Sequence, residues 1–210
     1  MTMWKGNRHA GMQSTSYSKD LLRGDKENRQ VDMQSTSDSK DMLRGYIREI
    51  NDFPKKGVVF RDITPLLQNG KAFNDAISRI ADGLQYSDIN LIACVESRGF
   101  IIGAALANKL GSGIVPIRKK GKLPYKVYSE TYDLEYGTDT LEMHADAISP
   151  GQRVLIVDDV LATGGTAKAV VNIVNSMQGK IVGTAFLLEL MELKGRKKLE
   201  GYPVYSLLQY

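Results

Sequence analysis

The stretch VLIVDDVLATGGTA, residues 154–167, combines the residue types needed to bind a phosphorylated sugar. An uninterrupted apolar run, Val154–Val157, ends in the adjacent acids Asp158 and Asp159. The loop that follows carries Ala162, Thr163, Gly164, Gly165 and Thr166 into a helical pattern. Glycines allow close backbone approach, amide N–H groups converge at a helix amino terminus, and threonine hydroxyls add donors, so the loop has the makings of a phosphate cradle. At the strand tip the two acids are expected to face sugar hydroxyls or a magnesium shell. A simple helix cap after a buried strand accounts for the threonines and glycines but leaves the paired acids unexplained. The chain contains neither G-x-x-x-x-G-K-[ST] nor G-x-G-x-x-G, so P-loop nucleotide hydrolysis and dinucleotide binding lack their motifs.

Three further stretches carry candidate chemistry. IRKKGKLP places Arg118, Lys119, Lys120 and Lys122 at the end of a short strand, where positive charge complements a polyanionic leaving group. The strand-end position favours Arg118 and Lys122 as contacts, while Lys119 and Lys120 stay open between contact and solvated surface. Between Pro124 and His144 the alternation of polar and aromatic residues predicts a two-stranded excursion able to close as a lid and exclude water. His144 has no histidine near it other than the distant His9, so no metal cluster is implied. Cys94 sits in the apolar run Leu91–Val95 and reads as a buried thiol.

These residues need a scaffold, and the hydropathy pattern supplies one. Lys71–Leu84 puts Phe73, Ala76, Ile77, Ile80, Ala81 and Leu84 on one helical face, and further helices are expected over Phe100–Leu110 and Thr166–Met177. Short apolar strands are expected at Asn90–Val95, Gly113–Ile117, Arg153–Val157 and Lys180–Leu188. Strands spaced by helices indicate a mainly parallel sheet with crossover helices, which binds ligands beyond the carboxyl ends of its strands. Leu43, Ile47 and Ile50 recur at helical spacing and predict a helix over Asp41–Asn51.

Composition sets the outer bounds. The 210 residues are 42% hydrophobic and 25% charged, which is ordinary for a globular protein and unlike disordered or collagenous chains. No apolar run reaches bilayer length, and a single cysteine suits the reducing cytoplasm. A net charge of +4 suits an anionic small molecule as well as it suits nucleic acid, but no stacking platform for a nucleic acid is evident. MQSTSYSKDLLRG (12–24) returns as MQSTSDSKDMLRG (33–45) with two of thirteen positions changed. This polar duplicate cannot bury enough apolar surface to order itself. We therefore divide the chain into a dispensable extension, 1–32, and one domain, 33–210, with Met33 as a duplicated or alternative start. The acids Asp20, Asp25, Glu27 and Asp32 weigh against a transit peptide.

The 154–167 stretch resembles the signature of the type I phosphoribosyltransferases. The likeness runs nearly continuously from Ile47 to Tyr210 toward the adenine-specific branch, through FPKKGVVFRDITPLL, ESRGFIIGAALA, VPIRKKGKLP, YDLEYGTDTLEMH and ELMELKGRKKL. The resemblance implies a type I phosphoribosyltransferase fold with an N-terminal hood and a flexible lid. It also implies conversion of adenine and 5-phosphoribosyl 1-diphosphate to AMP and diphosphate in purine salvage, with magnesium as cofactor and a homodimer as the assembly. In its terms Asp158, Asp159 and residues 162–166 hold the ribose and 5-phosphate, and Ser97, Arg98, Arg118 and Lys122 hold the diphosphate. The bond at Glu96–Ser97 corresponds to a non-proline cis peptide. Adenine is expected between Phe60 and Leu190, with Val59 and Arg61 reading its edge through main-chain groups. Glu135 matches the glutamate that assists purine proton transfer. Magnesium is expected to ride mainly on substrate oxygens and water, with few direct protein ligands. Two alternatives are a xanthine or hypoxanthine-guanine phosphoribosyltransferase, and a non-catalytic sensor of phosphoribosyl diphosphate with a nucleic-acid partner.

Overall fold

The computed structural model describes residues 42–85, 88–133 and 137–210. The duplicated segment 12–24, most of its second copy and Glu135 lie outside the described residues.

Seven strands form the central sheet in the order β5-β6-β4-β3-β7-β8-β9. They are β3 (Leu91–Val95), β4 (Gly113–Lys119), β5 (Val127–Asp133), β6 (Thr138–His144), β7 (Arg153–Leu161), β8 (Lys180–Glu189) and β9 (Val204–Gln209). β4, β3, β7, β8 and β9 run parallel, whereas β5 and β6 form an antiparallel pair joined to β4 through β6. That pair is the expected two-stranded excursion.

Alternation along the strands explains why both faces are covered. On β7, Leu155 and Val157 pack with Ala76, Ile80 and Leu106, while Val154 and Ile156 pack with Val170 and Val174. Successive side chains of a strand point to opposite faces, so a continuous apolar run feeds two cores at once. The helices that cover these faces are α1 (Thr64–Gln68), α2 (Gly70–Gly83), α3 (Arg98–Leu110) and α4 (Gly165–Ser176). Asn69 caps α2 by accepting from the Ala72 amide at 3.0 Å, and the expected apolar face of this helix supplies the buried Ala76, Ile77 and Ile80.

Two expectations are corrected. The stretch 41–51 is not one helix: helical structure at 42–44 gives way to turns at Gly45 and Tyr46, and Arg48–Asn51 forms β1, antiparallel to β2 (Val59–Asp62). Leu43 and Ile47 are buried, which explains their spacing, but Ile50 pairs with Phe60 across the hairpin. Tertiary pairing overrides the local period. The second correction concerns Asp158 and Asp159, which lie within β7 and not beyond its end. Val160 and Leu161 keep the strand paired with Leu188 and Glu189 of β8.

Candidate active site

The carboxyl ends of β3, β4 and β7 converge with the β5–β6 pair around a cleft of about 550 Å³ lined by Glu96, Ser97, Arg98, Lys119, Tyr132, Asp139, Asp158, Asp159 and Thr166. The chain turns sharply out of β3 through a cis peptide at Glu96–Ser97 and starts α3 at Arg98. α3 can begin this close to β7 because residue 99 is glycine: a Cβ there would stand 2.7 Å from Asp158 Oδ1. On the other side, β7 leads to Gly164, which adopts φ 78° and caps α4. The first amides of a helix lack intrahelical acceptors, so the start of α4 presents donors beside the acids. A hollow of 60 Å³ is lined by Asp158 and residues 160–167, including Ala162, Thr163, Gly164, Gly165 and Thr166.

The two acids differ in environment. Asp159 is 7% exposed and its Oδ2 lies 2.6 Å from Arg98 Nε. Asp158 keeps some exposed surface, but its carboxyl is turned inward against Gly99, and its Oδ1 accepts from the Asp159 amide at 2.8 Å. Burial, then repulsion from Asp159, raises the Asp158 pKa well above the ordinary carboxylate value. Arg98, expected on the diphosphate, is also 5.2 Å over the Phe60 ring and so joins the cleft to the β1–β2 hairpin.

Two cations of the basic strand end, Arg118 and Lys119, pair with acids. Arg118 Nε donates to Glu96 Oε2 at 3.0 Å and the Lys119 amide donates to Glu96 Oε1 at 2.6 Å. Burial works against the Glu96 charge, but the Lys119 amide and Arg118 hold its pKa below the ordinary value. Lys119, which the sequence left open, lines the cleft and pairs with Asp139 at 3.0 Å, whereas Lys122 is exposed and is not part of that lining. Tyr132 and Asp139 had no individual sequence signal, because their roles depend on pairing between elements, and Glu96 was marked only by its peptide bond to Ser97. Tyr132 reaches Thr166: the two hydroxyls are 3.4 Å apart.

A second cavity, of about 400 Å³, is lined by Gly57, Val58, Val59, Arg61, Leu190, Glu192, Leu193 and Tyr210. Val59, Arg61 and Leu190 thus come together from distant segments. Phe60 does not line this cavity; its ring lies under Arg98 and edge-on to Phe53 at 5.2 Å. Arg61 sits 4.3 Å over the Tyr210 ring and pairs with Glu49. Cys94 is buried beneath the cleft, and its thiol is pushed up to about 12 by burial and Asp158, which suits the inert role read from sequence. Among the described residues no group of three or more His, Cys, Asp or Glu side chains is arranged to hold a metal ion, and no helix is long and apolar enough to cross a membrane.

Comparison with known proteins agrees with this geometry. Residues 63–207 match the phosphoribosyl transferase domain model. The chain is 59% identical to the adenine phosphoribosyltransferase of Brachyspira hyodysenteriae over 165 residues, covering 79% of this chain and 97% of that protein. The crystal structure of adenine phosphoribosyltransferase from Thermoanaerobacter pseudethanolicus superposes with a TM-score of 0.79 at 53% identity, over 81% of this chain and 99% of that one. The Saccharomyces cerevisiae enzyme, solved with an imino-altritol bisphosphate and adenine, gives 0.77 at 37% identity, over 81% and 99%. With the acid pair and the glycine-led helix start on a mainly parallel sheet, and a second cavity between β2, the segment after β8 and Tyr210, the chain belongs to the adenine phosphoribosyltransferase family of type I phosphoribosyltransferases.

Proposed function

We propose that this protein transfers the phosphoribosyl group of 5-phosphoribosyl 1-diphosphate to adenine, giving AMP and diphosphate for purine salvage. The observation that carries this assignment is the helix start at Gly164 beside Asp158 and Asp159, at the ends of parallel strands in a chain that is 59% identical to an adenine phosphoribosyltransferase. Residues 162–166 take the 5-phosphate, Asp158 and Asp159 the ribose side, and Ser97, Arg98, Arg118 and Lys122 the diphosphate. Adenine lies between Phe60 and Leu190, with Val59 and Arg61 at its edge, and Glu135 assists the purine proton.

Diphosphate departs through an oxocarbenium-like transition state, and adenine attacks the opposite face of the sugar. The protein supplies position and charge to this step and forms no covalent intermediate. Arg98, fixed by Asp159 and stacked on Phe60, places a cation between the leaving group and the base. The pairing of Arg118 with Glu96 holds the guanidinium at the cleft rim. The β5–β6 pair, tied to α4 through Tyr132 and Thr166 and through Asn172 Nδ2, which donates to Glu130 Oε1 at 2.7 Å, covers the cleft and limits water.

Magnesium fits the donor set: Asp158 and Asp159 offer hard oxygen ligands, and the ion would be held largely through substrate oxygens and water. When bound it would offset phosphate charge. We extend the assignment to a cytoplasmic homodimer; exposed Ile101, Leu110 and Ile114 on α3 and β4 supply apolar surface for it. Incubation with adenine, 5-phosphoribosyl 1-diphosphate and magnesium, followed by product identification, should yield AMP and diphosphate in equal amounts. Absence of both would refute the assignment.

A further inference from the structure

From the last residue of β8, Glu189, the chain forms a short strap to Arg196 that runs from the base-side cavity to the phosphate loop. At its start, Leu190 lines the base-side cavity, and its amide donates to the Leu161 carbonyl at 2.9 Å. Met191–Leu193 and Gly195–Leu199 follow as two 3-10 turns. Gly195 then packs directly on the phosphate loop: a Cβ at Gly164 would stand 2.4 Å from the Gly195 carbonyl oxygen, and one at Gly195 would stand 2.2 Å from the Ala162 carbonyl oxygen. The strap therefore touches both halves of the site with no space for slack.

One ion pair closes the strap. Arg196 Nε donates to Glu189 Oε1 and Nη2 to Glu189 Oε2, both at 2.6 Å, so the pair is bidentate. Arg196 Nη1 also donates to the Val204 carbonyl at 2.9 Å, and Gln209 Nε2 lies 3.4 Å from Glu189 Oε2, which anchors the pair to β9. Glu189 is 2% exposed. Burial opposes its charge, but hydrogen bonds from Arg196 and Ser206 hold its pKa below the ordinary glutamate value. Glu189 immediately precedes Leu190, and Arg196 immediately follows Gly195.

We propose that Glu189 and Arg196 are a positioning pair that fixes the separation between the base pocket and the phosphate cradle. This rests on the function proposed above. Neither side chain lines the cleft or the base-side cavity, so both act through their neighbours: Glu189 through Leu190 and Arg196 through Gly195. A ligand that spans both pockets gains from holding its two ends at once only if their spacing matches the site. Loss of the pair should therefore weaken a spanning ligand more than either half.

The test is equilibrium binding of AMP, adenine and ribose 5-phosphate to the full chain and to its Glu189→Gln and Arg196→Lys variants. We expect AMP affinity to fall about tenfold in Glu189→Gln, with adenine and ribose 5-phosphate each changed by less than about threefold. Arg196→Lys, which keeps the charge but loses the fork, should fall between that variant and wild type. Equal loss for all three ligands, or unchanged AMP binding, would overturn the proposal, as would failure of both variants to fold, which would assign the pair to stability alone. Failure of the unaltered chain to bind AMP would overturn the functional assignment and this inference with it, whereas normal binding by the unaltered chain and both variants overturns this inference alone.

Discussion

The proposed phosphate side and base side of the site are built in different ways. The phosphate loop is one contiguous segment, Asp158 to Ala167, held by the end of β7 and the start of α4. The base-side cavity is assembled from strand β2, the strap after β8 and Tyr210, with Val59 lying 131 residues before Leu190 and Tyr210 20 residues after it, and these are joined by cation–π contacts and main-chain hydrogen bonds. The polar side is a local motif whose backbone amides stand at a helix start, where an anion is favoured. The apolar side is a tertiary assembly whose geometry depends on packing between segments. Changes on the phosphate side should therefore act on one substrate through charge, and changes on the base side on the other through shape.

The largest break in that contrast should come from Asp158→Asn combined with Asp159→Asn, which is expected to lower kcat/KM for 5-phosphoribosyl 1-diphosphate by about 10³. Unchanged kinetics would remove the acids from the site. Asp158→Asn alone carries a second expectation. The pKa of Asp158 is higher in the folded chain than in the unfolded one, so above the unfolded value, about 3.9, ionisation weighs against folding. The substitution should thus raise Tm at neutral pH, and a lower Tm would contradict the environment described for this acid. In the unaltered chain, affinity for the diphosphate substrate should decline as pH falls through the raised Asp158 value, and the substitution should flatten that decline.

Glu135→Ala is expected to lower kcat by about 10² with little change in either KM, as removal of a proton-transfer group should. A normal kcat would take Glu135 off the catalytic list. On the base side, Phe60→Ala should raise KM for adenine about tenfold and leave that for 5-phosphoribosyl 1-diphosphate within about twofold. Equal effects on both would show that the Arg98–Phe60 stack makes the two sides one unit. The smallest effect is expected from deleting residues 1–32, with kcat/KM changing less than about twofold. A large loss would give the repeated segment a function.

The same contrast explains what the sequence could reveal. Apolar runs located β3, β7 and β8 because a strand covered on both faces needs unbroken hydrophobicity, β4 read as apolar although its Ile114 face is exposed, and the 3.6-residue period located α2. The phosphate loop was legible because glycine, threonine and acid occupy one short segment. The β1–β2 hairpin was not, since Leu43 and Ile47 are buried at helical spacing although the chain leaves the helix before Ile47. Lys119–Asp139, Arg118–Glu96 and Glu189–Arg196 were also hidden, because an ion pair across strands or across a strap leaves no periodic trace. The strap's close contact between Gly164 and Gly195 required knowledge of which turn packs on which.

The central claim is that the base-side assembly selects adenine while the phosphate loop holds the common sugar phosphate. The most direct measurement is kcat/KM of the full chain for adenine, hypoxanthine, guanine and xanthine at saturating 5-phosphoribosyl 1-diphosphate. We predict turnover of adenine to AMP, with the three oxo-purines at least about 10² less efficient. Efficient turnover of any oxo-purine without turnover of adenine would contradict the account.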